Sequence, residues 1–421
     1  MAKFKTILKN RDFFLLWVGQ IISQFGDRLT FMSLIGFAYS KGEQGSPTDI
    51  FKILFFTIIP VFVIGPVAGA YVDRWDRRKT MYACDFLRMG LVLLIPLFLF
   101  HYRSLPLAFL LVFLSFSVAR FFLPAKLSIV PDLVDKKDLL IANSLVNITG
   151  MIAFIFGSGI GGLLVEKVGA ENGFYLDGLS FFISGMMIFF ISSRKGVSIN
   201  LRKIGRFGGE LVEAIKKSLV QEIREGFSYF LKTPDIRFTA GILFTLASAL
   251  GVVSVVSIVF VQDTLGSATK DLGFLIMFLG VGLFFGTLLY GRFGQRLSVY
   301  KAIFASLILS GIMLIAFAVG LSRYPDFRLA AVLALAFGFL TAPILIVSNT
   351  IIHRTSENSM RGKIFSSLEL VMHLGFLLFM YISTILAERF SHVSILSAIG
   401  IVFCFVGIIN FIFCRKMSWL D

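Results

Sequence analysis

Glu369 and His373 lie four residues apart. In a helix that spacing puts both side chains on one face, so a carboxylate and an imidazole would project together from an otherwise apolar stretch. Histidine as a side-chain type titrates near neutrality. The pair is therefore a candidate for taking up and releasing a proton, with a structural hydrogen bond as the other reading. Asp27 and Arg28 are adjacent, so they cannot face the same way. One is expected to face a cavity and the other a neighbouring helix. Asp85 and Arg88, three apart, read as a structural ion pair. Arg120 is placed near the inner end of the fourth apolar segment, for substrate or gating contact or for snorkelling to headgroups. Asp177 reads as structural. The chain holds no Gly-x-x-x-x-Gly-Lys-Ser/Thr loop, no His-Glu-x-x-His and no hydrolase elbow, so neither ATP drive nor an enzyme is expected. The three cysteines, Cys84, Cys404 and Cys414, have no metal-ligand spacing. No catalytic residue, metal or cofactor is expected.

The elements that would carry these groups are membrane helices. The 421 residues are 57% hydrophobic and 15% charged, with a mean hydropathy of +0.87, whereas soluble domains carry about 25% charged residues. The apolar residues come in long blocks, and a bilayer core of about 30 Å needs about 20 of them per helix. In lipid the backbone must satisfy its own polar groups, so such blocks become helices. Spans are expected near 12–38, 50–72, 79–101, 105–125, 138–165 and 173–192, then near 236–262, 270–291, 299–320, 327–350, 361–388 and 392–414. This predicts an all-α integral membrane protein of twelve transmembrane helices, in two six-helix bundles around a central cavity. The N-terminal bundle is placed at 1–192 and the C-terminal bundle at 236–421. A cytoplasmic linker, 193–235, is expected to hold an amphipathic helix over Glu210–Lys232. Charges inside such spans are costly and are functional candidates by default.

The formal charge of +15 raises nucleic acid as a partner, and the placement of the charge removes it. With a cytoplasmic N-terminus, 29 of the 40 Lys and Arg residues fall in cytoplasmic segments, 8 in outer ones, and Arg28, Arg88 and Arg120 within spans. That asymmetry follows the positive-inside rule and puts both termini in the cytoplasm.

The segment Gly65-Pro66-Val67-Ala68-Gly69-Ala70-Tyr71-Val72-Asp73-Arg74-Trp75-Asp76-Arg77-Arg78-Lys79 pairs a small-xxx-small face at Gly65 and Gly69 with a basic loop. A degraded copy, Gly291-Arg292-Phe293-Gly294-Gln295-Arg296, follows the second span of the second half, as in transporters built from two parallel repeats. The first loop resembles that of the major facilitator superfamily. Further patches resemble one branch of it, which includes macrolide exporters, the enterobactin exporter and, more distantly, lysophospholipid transporters. They are Pro131–Val134 with Leu140–Leu145, Phe174–Phe181, Glu222–Phe230 with Thr233-Pro234, and Arg361–Ser366. The resemblance implies alternating access. It also implies a gating loop of Gly65, Gly69, Asp73, Arg74, Arg77 and Arg78, with Asp73 and Arg77 holding the second and eleventh helices together. Gly157, Gly161 and Gly162, with Gly150, resemble the family's antiporter motif, with Ser158 where that motif has proline. Ordinary close packing of glycines is the other reading.

The expectation is a proton-coupled, multidrug-type efflux antiporter for an amphipathic small molecule, drug-like or siderophore-like. Asp27, Arg28, Arg120, Glu369 and His373 are its substrate or proton-coupling candidates. Its partners would be that substrate, protons and the lipid bilayer, as a monomer in a prokaryotic cytoplasmic membrane. A lysophospholipid flippase and a non-transporting membrane sensor are the alternatives. Phe31, Phe244 and Phe376 are candidates for an apolar cavity wall.

Overall fold

A computed structural model of the chain describes residues 7–40, 46–72, 75–192, 228, 233–294, 298–355 and 361–414. Among the described residues the secondary structure is helical, without strands. In chain order the helices are α1 (Arg11–Ser40), α2 in two segments (Pro47–Val63 and Gly65–Val72), α3 (Arg77–Pro96, running on into a π turn, Leu97–His101) and α4 (Leu105–Leu133). Next come α5 (Leu139–Val168), α6 (Ala170–Phe189), α7 (Pro234–Leu265) and α8 (Lys270–Phe293). The last four are α9 (Val299–Arg323), α10 (Phe327–Thr355), α11 (Arg361–Ala387) and α12 (His392–Cys414). Nine of these helices, among the described residues, are long and apolar enough to cross a membrane. The three outside that set are α1, α2 and α6. The first and last of them carry buried Gln20, Thr30, Asp177 and Ser184, while α2 is interrupted at Ile64.

The chain divides into two compact units. Unit 1 comprises Met1–Lys41, Lys52–Val212 and Ala268–Gly273, and unit 2 comprises Gly42–Phe51, Glu213–Ser267 and Phe274–Asp421. The linker expected over 193–235 lies largely outside the described residues, and with it the amphipathic helix expected there.

In unit 1, α6 packs on both α1 and α3, and α4 on α3. The α1–α6 approach depends on Gly26. A Cβ there would run into Ser180 Oγ and Asp177 Oδ1, so no side chain fits. One end of the unit is closed by polar ties. Asn10 Nδ2 donates to Leu133 O at 2.7 Å, and its Oδ1 accepts from the N–H groups of Asp12 and Phe13. The Asp12 carboxylate accepts from Ser192 N–H at 3.1 Å. Asp76 caps α3, accepting from Lys79 N–H at 2.9 Å.

Two sequence boundaries move. The second span is broken at Ile64, just before Pro66, whose missing N–H leaves a rung of the helix unmade. Among the described residues, nothing lies within 4 Å of a Cβ built on Gly65. The fourth helix continues through Pro124 and Pro131 to Leu133, well beyond the expected 125. Arg120 thus sits thirteen residues from the helix end, about 20 Å at 1.5 Å per residue, and not at its inner tip. Lys126, counted from sequence among the loop residues, is two turns inside the helix.

Unit 2 is held by helix pairs that touch through glycine. On α9 and α12, a Cβ at Gly311 would lie 2.5 Å from Gly400 O. On α7 and α11, one at Gly375 would meet Phe244 and Ser248 Oγ. Ile236, Ala240 and Leu243 of α7 pack in one core with Ile352 of α10 and with Ile364 and Leu368 of α11.

The glycine geometry predicts that Gly26→Ala lowers the thermal stability of the purified protein by about 1–3 kcal/mol, while Gly65→Ala leaves it unchanged. Equal unfolding temperatures for the two variants would contradict the packing described.

Candidate functional site

The buried charged groups of unit 1 form a network across α1, α3 and α6. Asp27 is not left facing a cavity alone. Its carboxylate pairs with Arg88 of α3, Oδ1 to Nη2, at 2.5 Å. Arg88 is 6% exposed, and its guanidinium also covers the ring of Phe181 at 4.1 Å, a cation–π contact strengthened by desolvation. The ion pair expected between Asp85 and Arg88 is therefore a different one. Residues three apart on a helix point about 60° apart, and here the two diverge. Arg88 turns to α1, while Asp85 accepts from Ser184 Oγ of α6 at 2.6 Å. Asp177 is fully buried and accepts from Thr30 Oγ1 at 2.5 Å and Ser180 Oγ at 3.0 Å. Buried carboxylates without such donors would be prohibitive.

Arg28 turns the other way, onto α5. Its guanidinium lies over Phe154 at 4.8 Å. Its stem runs where a Cβ on Gly157 would be, 2.9 Å from Arg28 Cγ, and Gly161 borders the same residue. Two of the three motif glycines thus form a bed for an arginine. Gly162 does different work. A Cβ there would strike the backbone of Thr269 and Gly273, and its carbonyl accepts from Thr269 Oγ1 at 2.8 Å. Those residues belong to the same unit. Gly150 lies beside Gln24 Oε1.

Of the basic loop, Asp73 and Arg74 lie outside the described residues, and Gly69 lies within the second segment of α2. Arg77 Nη1 donates to Asp132 Oδ2 at 2.6 Å and to Ser128 O at 2.9 Å, both on α4. Arg78 Nη1 donates to Ile191 O, just past α6. Trp75 stacks on Phe121 of α4, centroids 5.8 Å apart. Within unit 1, then, these arginines fasten α3 to the ends of α4 and α6.

Unit 2 holds a cavity of about 380 Å³ between α7, α10 and α11. Its wall is mainly apolar, with Leu243, Leu246, Phe365 and Phe376 among the lining residues. Glu369 and His373 both face it, with Asn349 opposite on α10. Glu369 and His373 are not linked carboxylate to ring among the described residues. Instead, His373 Nδ1 lies 2.7 Å from the Glu369 carbonyl oxygen. A carbonyl only accepts, so Nδ1 is the donor in this contact. Of the phenylalanines singled out from sequence, Phe376 lines the cavity, while Phe244 packs on Phe379 and Gly375.

Three groups escaped the sequence reading. Lys126 lies in the field of Asp27. Asp263 and His392 form a pair at 3.4 Å between α7 and α12. Glu166 accepts from the N–H groups of Thr269 and Lys270. Each partner is about a hundred residues away along the chain, beyond any local spacing rule.

Removing one partner of a buried ion pair costs about 3–5 kcal/mol, because the other charge stays behind. Asp27→Asn and Arg88→Gln are each expected to destabilise the protein by that order, and the double variant by less than their sum. Strictly additive losses in thermal unfolding would show that the two side chains do not act as a unit.

Comparison with known proteins bears on the whole chain. The family model for the Major Facilitator Superfamily matches residues 16–285 and 238–418. The MFS-type transporter YkuC of Bacillus subtilis is 30% identical over 227 residues, 54% of this chain and 51% of that protein, so the match spans about half of that relative's length. The multidrug efflux pump Tap of Mycolicibacterium fortuitum is 24% identical over 76% of both chains. Macrolide efflux protein A of Streptococcus pyogenes is 22% identical over 90% of this chain and 89% of its own. A crystal structure of a POT family transporter superposes with a TM-score of 0.71 at 12% identity, covering 97% of each chain, which shows a shared fold.

Proposed function

The chain belongs to the Major Facilitator Superfamily of membrane transporters, and from that premise we propose that it is a secondary active exporter, coupling proton entry to the outward movement of an amphipathic small molecule by alternating access. The observation that carries the proposal is the cavity of unit 2. A carboxylate and a histidine share a wall that is otherwise largely apolar. An apolar wall suits the greasy body of a substrate. A carboxylate held there is costly while charged, so it favours exchange between proton and substrate. Glu369 is assigned the coupling proton. His373, whose Nδ1 meets the Glu369 carbonyl oxygen, is assigned the relay. The likeness to the multidrug efflux pump Tap and to macrolide efflux protein A supports export of drug-like compounds, with siderophore-like ones as the other candidate class. A bacterial cytoplasmic membrane, with both termini inside, is the setting that the basic residues favour.

Proton flux in inside-out vesicles with an imposed pH gradient tests this. Macrolides, lipophilic cations, catecholate siderophores and lysophospholipids are added in turn. One class is expected to dissipate the gradient through the parent protein. Glu369→Gln is expected to abolish that flux while leaving downhill movement of the same compound in place. Proton flux unchanged in Glu369→Gln would overturn the assignment, and lysolipid crossing without proton flux would replace export by lipid flipping.

A further inference from the structure

One face of α11 forms a wall of the cavity in unit 2. Phe365, Glu369, Met372, His373 and Phe376 all line it, at steps of three and four residues that keep them on one side of the helix. Asn349 faces the same space from α10, and the remaining lining residues are leucines and one alanine. Among the described residues Glu369 is the one carboxylate of the wall, and no lysine or arginine lines the cavity with it. Glu369 and Asn349 are both exposed, although their chain neighbours Leu368 and Ser348 are buried. His373 is turned to its own helix, with Nδ1 2.7 Å from the Glu369 carbonyl oxygen. The wall therefore offers a ligand two oxygen acceptors from two helices, one of them charged, within about 380 Å³ of mainly apolar space.

The charge of the ligand follows from what each kind would meet. An acid would be set against the Glu369 carboxylate with no basic side chain in the wall to answer it. A neutral compound leaves Glu369 protonated beside it, or buries the carboxylate without a partner at a cost, and displaces nothing. A cation compensates the carboxylate, and an N–H bond to it is charge-assisted, about twice as strong as a neutral one. The two rings decide which kind of cation fits. A quaternary ammonium has no N–H and is held by aromatic faces gathered around it. Phe365 and Phe376 are eleven residues apart on one helix, about 16 Å along its axis, with Glu369 between them. They cannot close around one headgroup, and the Phe365 ring already meets that of His353, centroids 4.9 Å apart.

We propose that this cavity binds a protonated amine on an apolar body, its N–H groups donating to the Glu369 carboxylate and to the Asn349 carboxamide oxygen. This rests on the export reading above and narrows its substrate class to amines that carry at least one N–H when charged. Acids and quaternary ammonium compounds fall outside it. Glu369 then holds either a proton or the ammonium. Its proton leaves to water as the ammonium arrives, one positive charge replacing another, so a one-for-one exchange is electroneutral. Asn349 sets specificity, since its oxygen receives a second N–H that only primary and secondary amines possess.

Equilibrium binding to the full chain in phosphatidylcholine nanodiscs at neutral pH, without any proton gradient, tests the seat. Empty discs correct for partition into lipid. Radiolabelled 1-naphthylmethylammonium, its trimethylammonium analogue, 1-naphthylmethanol and 1-naphthoate share an apolar body and differ in the head. The parent is expected to bind the primary amine saturably and about tenfold more tightly than any of the other three. Glu369→Gln is expected to weaken the amine by about tenfold, with the alcohol unaffected and Glu369→Asp recovering part of the loss. Asn349→Leu is expected to weaken the amine by about fivefold and to leave the trimethylammonium analogue unchanged. Amine binding that is the same in the parent and in Glu369→Gln overturns the proposal. So does a trimethylammonium, alcohol or naphthoate probe that binds the parent as tightly as the amine. An unchanged unfolding temperature marks a variant as folded, and Asn349→Leu gives an independent reading if Glu369→Gln does not fold. Because no gradient enters, a failure of proton-driven export leaves amine binding to be read by itself. A parent that exports but does not bind the amine overturns the seat and leaves the export reading standing.

Discussion

Hydrocarbon does not solvate charge, and unit 1 is arranged around that fact. A carboxylate at mid-helix in α1 selects the face of α3 that can approach it, since only the arginine side of α3 offers compensation. The same requirement brings α6 in, because Asp85 and Asp177 need hydroxyl donors and these come from Ser184, Thr30 and Ser180. Close packing then follows the polar contacts. Gly26 leaves room for Asp177 and Ser180 to reach α1 at all. Helices α1 and α6 are thus committed to each other through polar contacts as well as close packing.

Unit 2 solves the opposite problem. Its helices meet through glycines and apolar side chains, and its charge is sparse. Glu369 is set into the wall of a cavity and, among the described residues, not into an ion pair. The two units therefore differ in kind: charge is compensated by named partners in unit 1, while unit 2 sets a carboxylate and a histidine into a mainly apolar cavity wall.

Much of this was legible from the chain. Long apolar blocks and the distribution of lysine and arginine predict twelve helical segments, and the Asp-Arg loop pointed to the family. The four-residue spacing of Glu369 and His373 correctly put both on one helix face. What escaped was partnership at a distance. Asp85 and Arg88 look like a pair because they are neighbours, yet the helix turns them toward α6 and α1, whose residues no spacing rule connects to them. The end of the fourth helix was expected near 125 because Pro124 and a lysine read as a stop. The helix continues to Leu133, since proline costs a hydrogen bond without forbidding a long span. The antiporter-like glycines were read as a motif, and only the coordinates show that two of them make space for Arg28.

The Asp27–Arg88 pair has a consequence for how the chain is made. Synthesis proceeds from the N-terminus, so Asp27 emerges 61 residues before Arg88, about 3–12 s earlier at 5–20 residues per second. During that interval α1 carries an unanswered carboxylate, and it is not among the helices apolar enough to span a membrane by themselves. Its lodging in the bilayer is therefore provisional until α3 arrives, and Thr30 waits longer still, 147 residues, for Asp177. Helix α1 therefore completes its polar contacts late, only when α3 and then α6 have followed it.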